Sequence, residues 1–162
     1  MHSKQTSDQL PLHCLAIDHK IKLTQKNHLS YSLLYRITTE ELTAVKEYLL
    51  KNLHKGFIVL SSAPFVSSVL FVSKPNKGLR FCVDYQKLNN ITKKDQHLLP
   101  LIDETLACIT NAKIFIKLDI WQAFYRIQVN PSAKELITFR TCYRTYKYQV
   151  LLFSLTNSPA IY

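Results

Sequence analysis

The segment Lys113-Ile-Phe-Ile-Lys-Leu-Asp119-Ile-Trp-Gln-Ala-Phe124 brings a single carboxylate to the end of an apolar run. An aspartate in that position is costly to desolvate, so it calls for a metal ion, a basic partner or water. A second reading has Asp119 capping a following helix, its side chain satisfying a first-turn amide. The other chemical grouping is basic: Lys74, Lys77 and Arg80 surround the turn Pro75-Asn-Lys-Gly78. Guanidinium and ammonium groups at a hairpin tip suit a triphosphate, the planar Arg fork binding phosphate oxygens in pairs. An ordinary solvated hairpin would carry the same charges. The adjacent acids Asp103 and Glu104 are accounted for by a helix N-terminus, whose dipole favours them, without a paired-carboxylate site.

Those groups need elements to position them. Alternation over 114–120 predicts a strand with Ile114, Ile116, Leu118 and Ile120 on a buried face and Phe115, Lys117, Asp119 and Trp121 on the other. A helix is predicted from about Thr39 to Lys55, opened by a Thr38/Glu41 capping box and closed by Gly56. Its apolar stripe is Leu42, Val45, Leu49 and Leu53. Two strands flank the Pro75–Gly78 turn, with Leu79, Phe81, Val83 and Tyr85 on one side of the return strand and Arg80, Cys82 and Asp84 on the other. Pro100 reads as the first residue of a second helix, with Ile102, Leu106 and Ile109 as its stripe. Residues Leu136 to Tyr143 and Tyr146 to Phe153 read as a last strand pair.

Composition bounds the partners. The chain has 162 residues, 47% of them hydrophobic, enough for one core. A net charge of +10 and a pI near 9.5 imply a polyanion, nucleic acid ahead of membrane; a basic solvated surface is the alternative. No apolar run is long enough to span a bilayer, and Met-His-Ser-Lys-Gln-Thr is not a signal peptide. Cys14, Cys82, Cys108 and Cys142 have neither zinc-ligand nor disulfide spacing and read as reduced, mostly buried thiols of an intracellular protein, in cytoplasm or nucleus.

Across nearly the whole chain, motifs recur in one family's order: Asp18-His-Lys-Ile, Glu41-Leu, Lys55-Gly-Phe-Ile, Leu70-Phe-Val-Ser-Lys and Leu79-Arg-Phe-Cys-Val-Asp-Tyr. They continue with Leu88-Asn89, Leu99-Pro-Leu-Ile-Asp-Glu, Lys117-Leu-Asp119, Phe139-Arg-Thr and Leu155-Thr-Asn-Ser-Pro-Ala. From about Leu10 to Tyr162 the sequence resembles the reverse transcriptase of gypsy-type (metavirus) LTR retrotransposon Pol polyproteins. The resemblance implies an α+β fold, a partial right-hand polymerase of fingers hairpins and helices plus the first part of a palm sheet. Residues 1–30 would be a leader from the protease side, 31–94 and 127–157 fingers, 95–126 the first palm segment, and 158–162 the start of the palm's return.

The family's roles fall on matching positions. Asp119 is the implied first catalytic aspartate and metal ligand, and Ile120 offers its backbone carbonyl to a second ion. Arg80 and, with less weight, Lys74 would hold the incoming nucleotide, Phe124 would exclude a 2′-hydroxyl, and Phe153 would pack near the sugar. The implied cofactor is Mg²⁺, with Mn²⁺ as an alternative; two ions are expected only in a complete domain. The implied partners are an RNA or DNA template with primer, a dNTP, and the remaining palm, thumb, RNase H and integrase of a Pol polyprotein; no membrane is implied.

The other two aspartates of the family lie in a Tyr-x-Asp-Asp hairpin, and no Asp-Asp pair occurs before Tyr162. One carboxylate does not hold two Mg²⁺ ions, so the expectation is a truncated RNA-directed DNA polymerase, inactive as this isolated chain. Two further readings are a domesticated or residual basic nucleic-acid-binding module and a non-functional remnant. Arg144 and Ser154 stand where relatives usually have Gly, and would be strained if either site needs φ > 0. Gln86 replaces an Arg common after Val-Asp-Tyr.

Overall fold

The computed structural model describes residues 8–14, 17–24, 32, 34–73, 78–95, 101–110, 112–117, 120 and 122–161. Helix α1 (Thr39–His54) begins at the expected capping box: Glu41 N donates to Thr38 Oγ1 at 3.3 Å and Thr38 N donates to Glu41 Oε2 at 2.8 Å. It ends where Gly56 takes φ +71°, a conformation a β-carbon disfavours. Only part of its predicted stripe is inside. Val45 and Leu49 are buried, whereas Leu42 and Leu53 are exposed and Asn52 takes the inner position, donating to Tyr48 O. The backbone carbonyl of Asn52 is also satisfied, since Phe57 N donates to it.

Strand β1 (Ile58–Leu60) pairs with β5 (Thr145–Tyr148), which in turn pairs with β4 (Thr138–Arg140), all antiparallel. The expected hairpin forms from β2 (Val69–Ser73) and β3 (Leu79–Val83), with Val69 opposite Val83 and Val72 opposite Arg80. Its turn, residues 74–77, lies outside the described residues, and Lys74 with it. Ser67 N donates to Thr138 O and Arg140 N to Ser67 O, which tie the approach to this hairpin to β4. Phe57, Ile58, Val83, Tyr85, Phe139 and Tyr148 fill the core between sheet, hairpin and α1. Tyr85 is wholly enclosed and its hydroxyl donates to Ile137 O at 2.9 Å. Short helices α2 (Gln86–Ile91), α3 (Ile102–Ile109) and α4 (Ser158–Ile161) complete the chain.

Several expectations are corrected. No strand forms over the described residues of 113–120, where Ile114 is 82% exposed and Ile116 81%. Alternation marks a face only when a neighbouring strand supplies the ladder, and none of these residues has one. The stripe of α3 is uncovered: Ile102, Leu106 and Ile109 are exposed, and Pro100 lies outside the described residues. The last strand pair is shorter than predicted, because Pro131–Ile137 coils as a 3₁₀ helix and the β4–β5 ladder runs only from Thr138 opposite Lys147 to Arg140 opposite Thr145. Cys14, Cys108 and Cys142 are exposed and Cys82 half-buried, not mostly buried, and all are free thiols. Arg144 and Ser154 carry no left-handed strain: among the described residues Gln122 is the one non-glycine with positive φ. The Arg144 turn closes on Thr141, whose amide and hydroxyl both donate to Arg144 O.

The described residues 8–14 and 17–24 pack onto the fold, with a turn in which Ile17 N and Asp18 N donate to Cys14 O. His19 bridges Val129, Leu23 bridges Thr92, and Gln128 Nε2 donates to Pro11 O at 2.6 Å. Asp18 is buried against His13, which forms an ion pair with it, and accepts from Cys14 N.

Candidate functional site

Alternation along β3 turns Arg80 outward while Val83 points into the core. Arg80 borders a cavity of about 510 Å³ that it shares with Tyr48, Cys82, Tyr125, Phe153 and Ser154. The floor is aromatic. Tyr48 stacks on Phe81 with ring centroids 4.0 Å apart, and its hydroxyl lies 2.8 Å from that of Tyr148. Burial raises the pKa of Tyr48 and Tyr148 well above the ordinary phenol value, so both stay neutral hydrogen-bonding groups at physiological pH.

The opposite wall is the turn at 152–157. Phe153 projects from it, 74% exposed, and meets Phe124 edge to face with centroids 5.4 Å apart. Phe124 sits on a 3₁₀ turn (Ala123–Arg126) that follows Gln122 in a left-handed conformation, φ 53° and ψ 42°. Asn89 fixes the wall: its Nδ2 donates to Ser154 O at 2.8 Å and its Oδ1 accepts from Thr156 N at 3.0 Å. Ser158 Oγ donates to Leu152 O from a fully buried position and closes the base of the turn.

Of the sequence-predicted site residues, the fold therefore brings Arg80 and Phe153 to one cavity and Phe124 against Phe153. Ile120 is exposed, 56%, in irregular chain. Asp119 and Lys74 lie outside the described residues. Sequence reasoning missed the tyrosines of the floor; Tyr125 packs on Phe57 with centroids 5.3 Å apart and also lines the cavity. Asn89 was visible only as part of Leu88-Asn89, with no role attached to it.

Metal ligation is a test of the donor set. Among the described residues no three His, Cys, Asp or Glu side chains converge on a point where an ion could sit. With Asp119 as the one carboxylate at the matching motif and no Asp-Asp pair in the sequence, the residues present do not fit a two-ion site.

Comparison with known proteins places the sequence and fold. The family described as reverse transcriptase (RNA-dependent DNA polymerase) matches residues 72–162. The Tf2-3 and Tf2-7 transposon polyproteins of Schizosaccharomyces pombe are each 29% identical over 158 residues, covering 98% of this chain and 12% of theirs. The chain thus spans about an eighth of the length of these relatives. A crystal structure of prototype foamy virus protease–reverse transcriptase superposes with TM-score 0.69 at 18% identity, over 95% of this chain and 20% of that one. The foamy viral enzyme solved with double-stranded DNA gives TM-score 0.68 at 15% identity, over 89% of this chain and 24% of that one. These likenesses show a partial right-hand polymerase fold of mixed helix and sheet. The chain belongs to the reverse transcriptase family.

Proposed function

We propose that this chain supplies the nucleotide-facing fingers and first palm segment of a retroelement RNA-directed DNA polymerase. In this reading an incoming dNTP lies in the cavity between β3 and the 152–157 turn. Arg80 pairs with its phosphates, Phe153 packs near its sugar, and Phe124 occupies the space a 2′-hydroxyl would need. Lys74 adds a second cation from the hairpin turn, and Asp119 is the first metal-binding carboxylate, with Ile120 offering its carbonyl. The observation that carries the reading is the convergence of Arg80 and Phe153 on one cavity with Phe124 against its wall.

Reverse transcriptases use divalent ions; Mg²⁺ suits the hard oxygen donors of Asp119 and Ile120 better than a softer metal. Because the donor set does not fit two ions, no nucleotidyl transfer is assigned to this chain alone. Its task is to shape the nucleotide and template side of a site completed by further palm residues. The assignment of 31–94 and 127–157 to fingers is supported by the Ser67 to Thr138 and Arg140 bonds, which join the two segments into one core. Template–primer and the remainder of a Pol polyprotein are the proposed partners, in an intracellular setting. No helix of the described residues is long and apolar enough to cross a membrane.

The test is titration of a fluorescent dNTP into the 162-residue chain and its Arg80→Ala variant, with primer extension run alongside. Loss of a charge-assisted phosphate contact worth about 1.5–3 kcal/mol predicts at least about tenfold weaker binding. Neither protein should extend a primer. Equal affinities, or extension by the chain alone, would overturn the reading.

A further inference from the structure

A second cavity, of about 610 Å³, lies away from Arg80 and Phe153 and is lined by Lys20, Lys22, Lys93 and Lys94. Two distant stretches of chain are bound together to make it. Lys93 N donates to Lys22 O at 2.8 Å and Thr24 N to Ile91 O at 2.8 Å, while Thr24 Oγ1 also donates to Ile91 O and Leu23 bridges Thr92. Lys20 and Lys22 thereby stand beside Lys93 and Lys94 on an antiparallel ribbon.

The ribbon is anchored at both sides. Asn157, buried, donates from Nδ2 to Lys93 O at 2.9 Å and accepts at Oδ1 from Asp95 N at 3.0 Å. His19 N donates to Gln128 O and Asn130 N to His19 O, which hold the other stretch. The four ammonium groups are exposed, and among the described residues none of them forms an ion pair. Of the two carboxylates in the lining, Asp18 is already engaged by His13 and Cys14 N, which leaves Asp95 as the one counter-charge facing four cations. Like charges gathered on a hydrogen-bonded scaffold repel one another, and a polyanion relieves that repulsion.

We propose that this lysine ribbon is a phosphate-binding site for the backbone of a nucleic-acid strand, separate from the nucleotide cavity. Ammonium groups on flexible stems suit successive phosphodiesters, being point charges that track a backbone without reading bases. Among the described residues the walls carry no Phe, Tyr or Trp on which a base could stack, and the imidazole of His19 is buried. Only the nature of the anion rests on the family reading; the location rests on the ribbon itself.

The test uses the 162-residue chain, a random-sequence duplex, and the variant carrying Lys20→Gln, Lys22→Gln, Lys93→Gln and Lys94→Gln, all at exposed positions. Each duplex phosphate contact contributes about 0.9 to the slope of log affinity against log salt, so the variant should lose about 3–4 slope units whatever the DNA sequence. Its dNTP affinity should be unchanged, which separates failure of this proposal from failure of the nucleotide site. A variant with the unaltered slope overturns the proposal. Acylation of lysines in the unmutated chain gives a readout independent of any folding defect: DNA should protect these four. Protection of other lysines in their place overturns the assignment. Equal protection by inorganic triphosphate at matched phosphate concentration would make this a site for free polyphosphate, and the nucleic-acid reading would fall.

Discussion

Asn89 offers the most informative single perturbation, because one side chain sets the wall of the cavity that Arg80 borders. Its amide spans Ser154 O and Thr156 N, at 2.8 and 3.0 Å, and so fixes the turn from which Phe153 projects. Asn89→Ala removes both bonds. A net hydrogen bond is worth about 1 kcal/mol, and water can reach Ser154 O on the exposed side, so the loss should be about 1–2 kcal/mol. With a urea slope of about 2 kcal/mol per molar for a domain this size, the midpoint should fall by roughly 0.5–1 M. Asn89→Asp keeps the acceptor for Thr156 N and loses the donor to Ser154 O, so it should fall in between. The assay is urea unfolding of the three proteins, paired with amide exchange at Thr156. Exchange should accelerate in the Ala variant and remain slow in the Asp variant. If Asn89→Ala unfolds at the wild-type midpoint with Thr156 still protected, the asparagine does not hold the turn. The positioning argument for Phe153 would then fail with it.

Tyr85→Phe should cost about 1–3 kcal/mol in the same unfolding assay, since Ile137 O loses a buried donor; a neutral change would mean that the carbonyl finds another partner. Gly56→Ala should cost about 1–2 kcal/mol from backbone conformation alone, because the added carbon would meet only Leu10 Cβ, at 4.0 Å. Burial lowers the pKa of His19 below its ordinary 6.5, with Asp95 opposing the shift. The folded state then prefers neutral imidazole, and its stability is complete above pH 6.5 and declines as pH falls below that value. His19→Gln should flatten this decline between pH 7.5 and 5 relative to wild type; parallel curves would exclude His19 as its source.

What could be read from the sequence was local. The Thr38–Glu41 box lies within four residues, Gly56 marks a helix end by conformation alone, and the hairpin follows from a turn signal between two alternating strands. Arg80 was placed correctly for the same reason, as an outward position on a hairpin strand. The asparagines that build the site could not be read this way. Asn89 reaches Ser154 across 65 residues and Asn157 reaches Lys93 across 64, and no periodicity reports such a contact. The apolar alternation around Ile114 and Ile116 misled because it marks a face without supplying the strand that would cover it. The lysine ribbon was hidden in the bulk charge, since Lys20 and Lys93 meet only when the first stretch is laid along the second.

The account's central claim is that a nucleotide lies between Arg80 and Phe153. Photo-cross-linking of an azido-dATP to the 162-residue chain, followed by peptide mapping, tests it most directly. The account predicts adducts on the peptides bearing Tyr125 and Phe153, abolished by excess unlabelled dNTP and sharply reduced in Arg80→Ala. Labelling spread along the chain, or adducts that excess dNTP leaves in place, would contradict it.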